Sequence, residues 1–250
     1  MNRRNLKLYI PVLGALALIP AQAFGQTLIS QATVTAAGGF PYKITQPGRY
    51  QLSSDLVVSN PNTEAIQISV DNVNLDLAGF TISGPATCHA SSCCPVGRCP
   101  LVAGIHVLPY TEGVISNGSI TGFIYGILAQ SLGRLQNLNV HHNGVDGANI
   151  GYVEGFGGAT VEHCRFTYNG GQGLLGAGQV LDSYSAFNSG NGFIYITSLM
   201  NSVSIGNGGW GVYTVSFIGG NYFEKNSLGS VDGYSFSQKN NACANLGYVC

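Results

Sequence analysis

Asn169, Asn188, Asn207 and Asn226 stand 19 residues apart, and Gly173, Gly192 and Gly211 follow the first three at a constant offset of four. A fixed period near 20 specifies a solenoid, in which each repeat is one unit that buries its apolar face only against its neighbours. The repeating stretches run from Val161 to Leu174, Val180 to Phe193 and Leu199 to Val212, and an earlier turn from Leu135 to Ala148 fits with a longer spacer after it. Leucine-rich repeats need a recurring L-x-x-L-x-L that these stretches lack. Helical repeats need longer periods and helix formers, whereas Gly, Asn, Ser, Val and Tyr dominate here. Short β-type runs bounded by Gly and Asn predict strands joined by tight corners.

About 20 residues make one coil of a parallel β-helix, and successive coils hydrogen-bond at ~4.8 Å. Stacked Asn side chains bond amide to amide along such a ladder. Asn and Gly also tolerate the left-handed backbone of tight corners. Asn169, Asn188, Asn207 and Asn226 are therefore read as architecture and not as ligands. Counting from the apolar residue eight before each ladder Asn, offsets 0, 3 and 5 give Leu135, Leu138 and Val140, then Val161, Cys164 and Phe166. The next coils give Val180, Ser183 and Ser185, then Leu199, Ser202 and Ser204. These columns are predicted to face inward, with the buried hydroxyls finding partners on neighbouring Ser of adjacent coils.

The stretch from Ala65 to Gly84, preceded by Ile44 to Leu52 and followed by Val114 to Phe123, resembles the opening coils of secreted right-handed parallel β-helix proteins of the pectin-lyase-like superfamily. The resemblance covers about residues 42 to 233. It implies an all-β fold: a single-stranded right-handed parallel β-helix with N- and C-terminal caps. It does not fix an activity, because the superfamily spans lyases, hydrolases, epimerases and adhesins.

Residues 1–25 read as a signal peptide: Arg3, Arg4 and Lys7 precede an apolar run from Leu8 to Ile19, with small residues around Ala21 to Gly25. The apolar run is shorter than the ~20 residues that span a bilayer. The expectation is an exported chain, periplasmic or extracellular, with no membrane attachment after processing. Residues 26–55 are predicted to form the N-terminal cap and first strands, 56–233 the coils, and 234–250 a C-terminal cap. Cys88, Cys93, Cys94 and Cys99 crowd one loop, 88–99, while Cys243 and Cys250 sit in the tail. In an oxidising compartment these read as disulfides whose connectivity is open. Zinc is the competing reading of the loop, but C-x4-C-C-x4-C lacks a C-x2-C knuckle. Cys164, within a strand pattern, is predicted to be a buried free thiol.

Charged residues make up only 8% of the chain, so a basic nucleic-acid-binding surface is excluded. Enzymes of the resembled superfamily place charged residues on the outer face of one sheet. Outward offsets 2, 4 and 6 give Asn137, Asn139 and His141, then His163, Arg165 and Thr167, then Asp182, Tyr184 and Ala186. In this register His163 stacks beneath Asp182, and Arg165 lies between Asn139 and Tyr184. His163, Arg165 and Asp182 are the candidate catalytic residues: a proton-transfer group, a carboxylate-binding cation and a tautomer-fixing acid. Asn139, His141 and Tyr184 are candidate binding residues. The same side chains also make an ordinary solvated patch, and a one-residue slip would bury them. Tyr125, Tyr184, Tyr195, Trp210, Tyr213 and Tyr222 are further candidates for stacking on sugar rings.

No cofactor and no metal are expected. Gly171 to Gly176 spells a dinucleotide fingerprint but lies in the repeat's turn. His141, His142 and Asp146 read as polar surface, and no carboxylate cluster of the kind calcium-dependent pectate lyases carry is evident. Removing Arg3, Arg4 and Lys7 leaves seven basic against 11 acidic residues, which favours neutral over acidic glycans. The expectation is a monomeric protein that binds carbohydrate or another envelope polymer through its outer sheet face. A polysaccharide lyase or glycoside hydrolase is the alternative, and a structural or adhesive surface protein the third reading. If disulfides order the 88–99 loop, reductant will make it protease-sensitive before the coils. Equal cleavage rates with and without reductant would refute the staples.

Overall fold

The computed structural model describes residues 25–85, 101–108, 112–151, 158–233, 236–237 and 240–244. The expected signal peptide, the Cys-rich loop and Cys250 lie outside the described residues. The chain forms a parallel β-solenoid of about nine turns with coils of roughly 21 residues. Among the described residues all strand pairings are parallel, so each coil stacks in register on the one before.

Three faces result. The first carries Tyr42–Ile44, Ile66–Ile68, Ala103–Val107, Tyr125–Ala129 and Ala148–Ile150, then the opening halves of Leu174–Leu181, Phe193–Met200 and Trp210–Gly219, and Gly229–Asp232. The second runs from Thr27–Ile29 through Gly48–Leu52 and Val73–Asp76 to the closing half of Trp210–Gly219 and Phe236–Ser237. The third runs from Leu56–Val57 through Thr81–Ser83, the closing halves of Gly113–Thr121 and Arg134–His141, then Arg165–Thr167, Tyr184–Ala186, Val203–Ile205 and Tyr222–Glu224, to Ala242–Cys243. The helix Gln31–Ala36 lies between the first two strands of the chain, started by a capping box between Ser30 and Thr33. It buries Val34 in the core.

The inward columns are as the repeat predicts. Leu135, Val161, Val180 and Leu199 stack in register and are fully buried, and so are Val140 and Phe166. Alternation does this: in Arg134–His141 the odd-numbered Leu135 turns in, and after the corner at Asn137 the even-numbered Leu138 and Val140 do. Ser183 and Ser202 are buried, and Ser202 finds its partner on the neighbouring Ser183 as expected, through the backbone N–H rather than the hydroxyl. Each hydroxyl accepts a backbone N–H from the preceding coil, Cys164 to Ser183 and Ser183 to Ser202 at 3.2 Å, and donates to the carbonyl two residues back at 2.8 Å. Asn221 and Asn241 continue this column. Backbone partners win because the strands between coils already hold the peptide groups at the right height. Cys164 tops the column as a buried free thiol whose pKa burial pushes up to about 12, leaving it protonated and unreactive.

The Asn ladder is continuous from Asn143 to Asn226. Each side-chain Nδ2 donates to the Oδ1 of the next rung: Asn143 to Asn169 at 3.1 Å, then Asn169 to Asn188, Asn188 to Asn207 and Asn207 to Asn226 at 2.9 Å. Every receiving Oδ1 also takes the backbone N–H of the rung before. The ladder Asn and the Gly four residues on have ordinary negative φ, so the left-handed argument for them fails. Positive φ belongs instead to the residue just before each rung, as at Tyr168, Phe187 and Lys225. The Gly column has a steric cause: a Cβ on Gly192 would meet Ser204 Oγ at 2.2 Å and Asn207 Nδ2 at 2.9 Å. Gly is there because the ladder occupies the space of a side chain.

A second polar series lies at the turn after the ladder. Asp146 Oδ1 accepts the Gln172 N–H at 2.8 Å, Gln172 Oε1 that of Asn191 at 2.6 Å, and Asn191 Oδ1 that of Trp210 at 2.7 Å. Asp146 is buried near Tyr125, and desolvation pushes its carboxyl from 3.8 to about 6 against the help of Gln172 and Asn149.

Two outcomes follow from this packing. Asn188→Ala orphans the N–H and amide of Asn169 and the carbonyl of Phe166, so it will cost about 1–3 kcal/mol in urea unfolding; a loss no larger than that of the exposed Asn62→Ala would refute the ladder's role. Asp146 protonates more readily folded than unfolded, so it stabilises fully below about pH 4 and loses that contribution as pH rises through about 6. Between pH 4 and 7 the wild type will therefore lose up to about 3 kcal/mol relative to Asp146→Asn. Parallel stability curves for the two proteins would contradict the buried ionisable carboxyl.

Candidate functional site

The third face carries the outward row that the repeat places there. Ser119, Asn139, Arg165 and Tyr184 are successive register partners. Strand alternation turns them outward because their neighbours Ile120, Val140, Phe166 and Ser185 fill the core. The Arg165 guanidinium carbon lies 4.5 Å from the centroid of the Tyr184 ring. That cation–π contact fixes an otherwise long, mobile side chain against the sheet.

Beside this row runs the corner between the second and third faces. Ala78, Asn117, Asn137, His163, Asp182, Asn201 and Gly220 occupy it coil after coil, all with φ between 47° and 66°. His163 and Asp182 are thus corner residues and not strand residues. Left-handed backbone favours Asn, Asp, His and Gly, so their identities have a conformational cause as well as any chemical one. His163 Nε2 and Asp182 Oδ2 stand 3.9 Å apart with both side chains about half exposed. That is outside hydrogen-bond range, and such an exposed pair contributes little energy.

Corner and strand rows enclose a shallow open groove lined by Asn117, Ser119, Asn137, Asn139, His163 and Arg165, with Gly79 and Gly118 at its floor. None of its lining residues is a carboxylate. Asp182 and Tyr184 adjoin it on the next coil. Of the six residues that sequence reasoning singled out, five therefore come together: Asn139, His163, Arg165, Asp182 and Tyr184.

His141 does not join them. It sits at the far end of Arg134–His141, with Nδ1 2.8 Å from His142 Nδ1. Burial, and then His142, hold its pKa below the usual histidine value. Its neighbours form an external stack along the next corner: the His142 and Tyr168 rings lie 5.1 Å apart and 14° from parallel, and Tyr168 and Phe187 are 5.2 Å apart at 20°. Phe187 covers Gly206, where a Cβ would meet its ring at 2.8 Å. The sequence signal was available, since His142, Tyr168 and Phe187 each immediately precede a ladder Asn. The anticipated aromatics do not form one platform. Tyr195 and Tyr213 meet edge-on at 6.3 Å on the first face, while Tyr222 on the third bonds Glu224 at 3.0 Å.

Two further clusters were not legible. Glu64 Oε1 and His106 Nδ1 approach at 2.5 Å on the first face, and Gln67 Nε2 reaches Glu64 Oε2 at 3.4 Å. They are separated in sequence by the Cys-rich loop, which breaks the period. Asn117 and Asn137 belong to a hydrogen-bonded chain ending on Asp76, which binds the corner N–H of Ala78 at 2.8 Å. Among the described residues no three His, Cys, Asp or Glu side chains gather as metal ligands, and Asp146 is turned away from the two His into the polar series above. Cys243 is not a free thiol; the other cysteines of the expected staples lie outside the described residues.

No family model matches this chain, and no curated protein matches it in sequence. Among solved structures it is similar to a point mutant of the periplasmic alginate epimerase AlgG, with a TM-score of 0.51 and 14% identity over 89% of this chain. The match spans 56% of the epimerase, little more than half of its length. At that identity the likeness is one of fold: the parallel β-helix that the repeat and the three stacked faces describe, with which a pectin-lyase-like fold is consistent.

Proposed function

We propose that this is an exported protein, periplasmic or extracellular, that binds carbohydrate or another envelope polymer in the groove on its third face. The observation that carries the reading is Arg165 held over the Tyr184 ring beside Asn139, Asn137 and Ser119. A planar cation backed by a ring, next to a row of amides and a hydroxyl, offers a long surface with fixed hydrogen-bond donors and acceptors. An open groove running across several coils suits an extended chain more than a small enclosed ligand. The similarity to a periplasmic polysaccharide-modifying enzyme supports a carbohydrate-related role.

The second reading is a lyase or hydrolase using His163, Arg165 and Asp182. It rests on the nearness of His163 to Asp182. Glycoside hydrolysis ordinarily needs two carboxyl groups about 5–10 Å apart across the bond, and the groove lining supplies none. Binding is therefore the reading argued for, with the protein acting as a monomer.

The purified mature chain will retain members of a glycan array without releasing reducing ends or unsaturated products. Arg165→Ala and Tyr184→Ala will each weaken affinity by about 1–2 kcal/mol, and His163→Ala will not create or remove any turnover. Measurable turnover abolished by His163→Ala would replace binding with catalysis, since proton transfer acts in the transition state. Failure to retain any glycan would overturn both readings.

A further inference from the structure

The groove's corner carries a chain of side-chain amides with one end fixed. Asn137 Nδ2 donates to Asn117 Oδ1 at 3.0 Å, and Asn117 Nδ2 donates to Asp76 Oδ1 at 3.0 Å and to Ser116 Oγ at 3.3 Å. Asp76 is itself held: Oδ1 also accepts the Ala78 N–H, and Oδ2 accepts Gln51 Nε2 at 3.4 Å. A carboxylate only accepts, whereas an amide has one accepting and one donating end. Asp76 therefore forces Asn117 to present its NH2, which forces Asn137 to do the same. The Asn137 carbonyl oxygen is left on the other side, toward the coil of His163, where both residues line the groove.

The direction of this outer chain is not inherited from the core. In the buried ladder each Nδ2 donates to the coil that follows, as Asn143 does to Asn169, whereas outside each donates to the coil that precedes. The left-handed backbones of Asn117 and Asn137, φ 60° and 53°, hold both amides on one corner line. Only the acidic end dictates which way they point.

Charge does not oppose this. Arg165 lines the groove and Asp182 adjoins it on the next coil, so their opposite charges cancel, while Asp76 behind is taken up by Ala78, Asn117 and Gln51. An accepting oxygen without a protein partner among the described residues, where no net positive charge remains, recognises ligand hydroxyl donors and offers a ligand carboxylate no hydrogen bond. We propose that the groove selects uncharged, hydroxyl-rich glycans over uronate glycans, and that Asp76 is the positioning residue that sets this preference by aligning Asn117 and Asn137. The proposal rests on the glycan-binding reading above.

The test uses the whole mature chain and two probes of equal length, a neutral gluco-oligosaccharide and an oligogalacturonate, titrated calorimetrically. The wild type will bind the neutral probe at least tenfold more tightly. Asp76→Ala will shrink that ratio several-fold and shift the Asn137 side-chain amide resonances. Asp76→Asn, which keeps an accepting oxygen at the Oδ1 position, will restore both. If Asp76→Ala does not fold, Asn117→Ala breaks the chain at its middle, leaves the Asp76–Ala78 turn bond in place, and will shrink the ratio equally. Equal or tighter binding of oligogalacturonate by the wild type overturns the selectivity while leaving glycan binding standing. An unchanged ratio in folded Asp76→Ala and Asn117→Ala overturns the role of Asp76. Binding of neither probe, with every variant folded, overturns the proposal and the reading beneath it.

Discussion

The structure depends on a buried amide that is fully used. Each central ladder Asn accepts two hydrogen bonds at Oδ1 and donates both protons of Nδ2, so a polar side chain sits in the core with no orphaned atom. Among the described residues no buried side-chain polar atom lacks a partner. A half-satisfied network would destabilise the core more than an apolar residue in its place. Because it is satisfied, the network fixes the rise, the register and the Gly that must sit beside it, and the register fixes which side chains reach the outside.

The outer surface is thus a projection of the inner repeat. Arg165 meets Tyr184, and His163 meets Asp182, because Phe166 lies over Ser185 and Cys164 bonds through Ser183. The corners, whose left-handed backbone restricts residue choice, bring Asn, His and Asp into one line. That line is both a conformational necessity and the wall of the groove. The function argued for depends on how its amides point, and not on any one reactive group.

Much of this was legible in the residues. The 19-residue spacing of Asn and Gly gave the solenoid, and the offsets from each Asn separated Leu135 and Val161, inside, from Asn139 and Arg165, outside. Period alone does not report φ, so Asn169 was credited with a corner that belongs to Tyr168. It also does not report which group donates: Ser on adjacent coils were expected to partner one another, and Ser183 does so to Ser202 through its backbone N–H. Where the period breaks, as between Glu64 and His106, contacts across coils could not be aligned at all. Asp76 binds the turn at Ala78, but its hold on Asn117 spans 41 residues and depends on geometry no spacing encodes.

The one-way sense of the buried ladder has a consequence for how the chain is assembled. From Asn143 to Asn207 each rung donates to the amide oxygen of the coil that follows, so a rung whose successor has not yet arrived holds one Nδ2 proton and its backbone N–H unpaired. Once Asn143 is in place, a chain delivered from its N-terminus would carry at its tip one ladder Asn whose free N–H groups are ready to take the carbonyl oxygen of the next Asn. The tip is a template: it accepts only a coil whose amide arrives at the right height. The same ordering makes the two ends of the ladder chemically unlike, one offering an accepting oxygen and the other unpaired N–H groups.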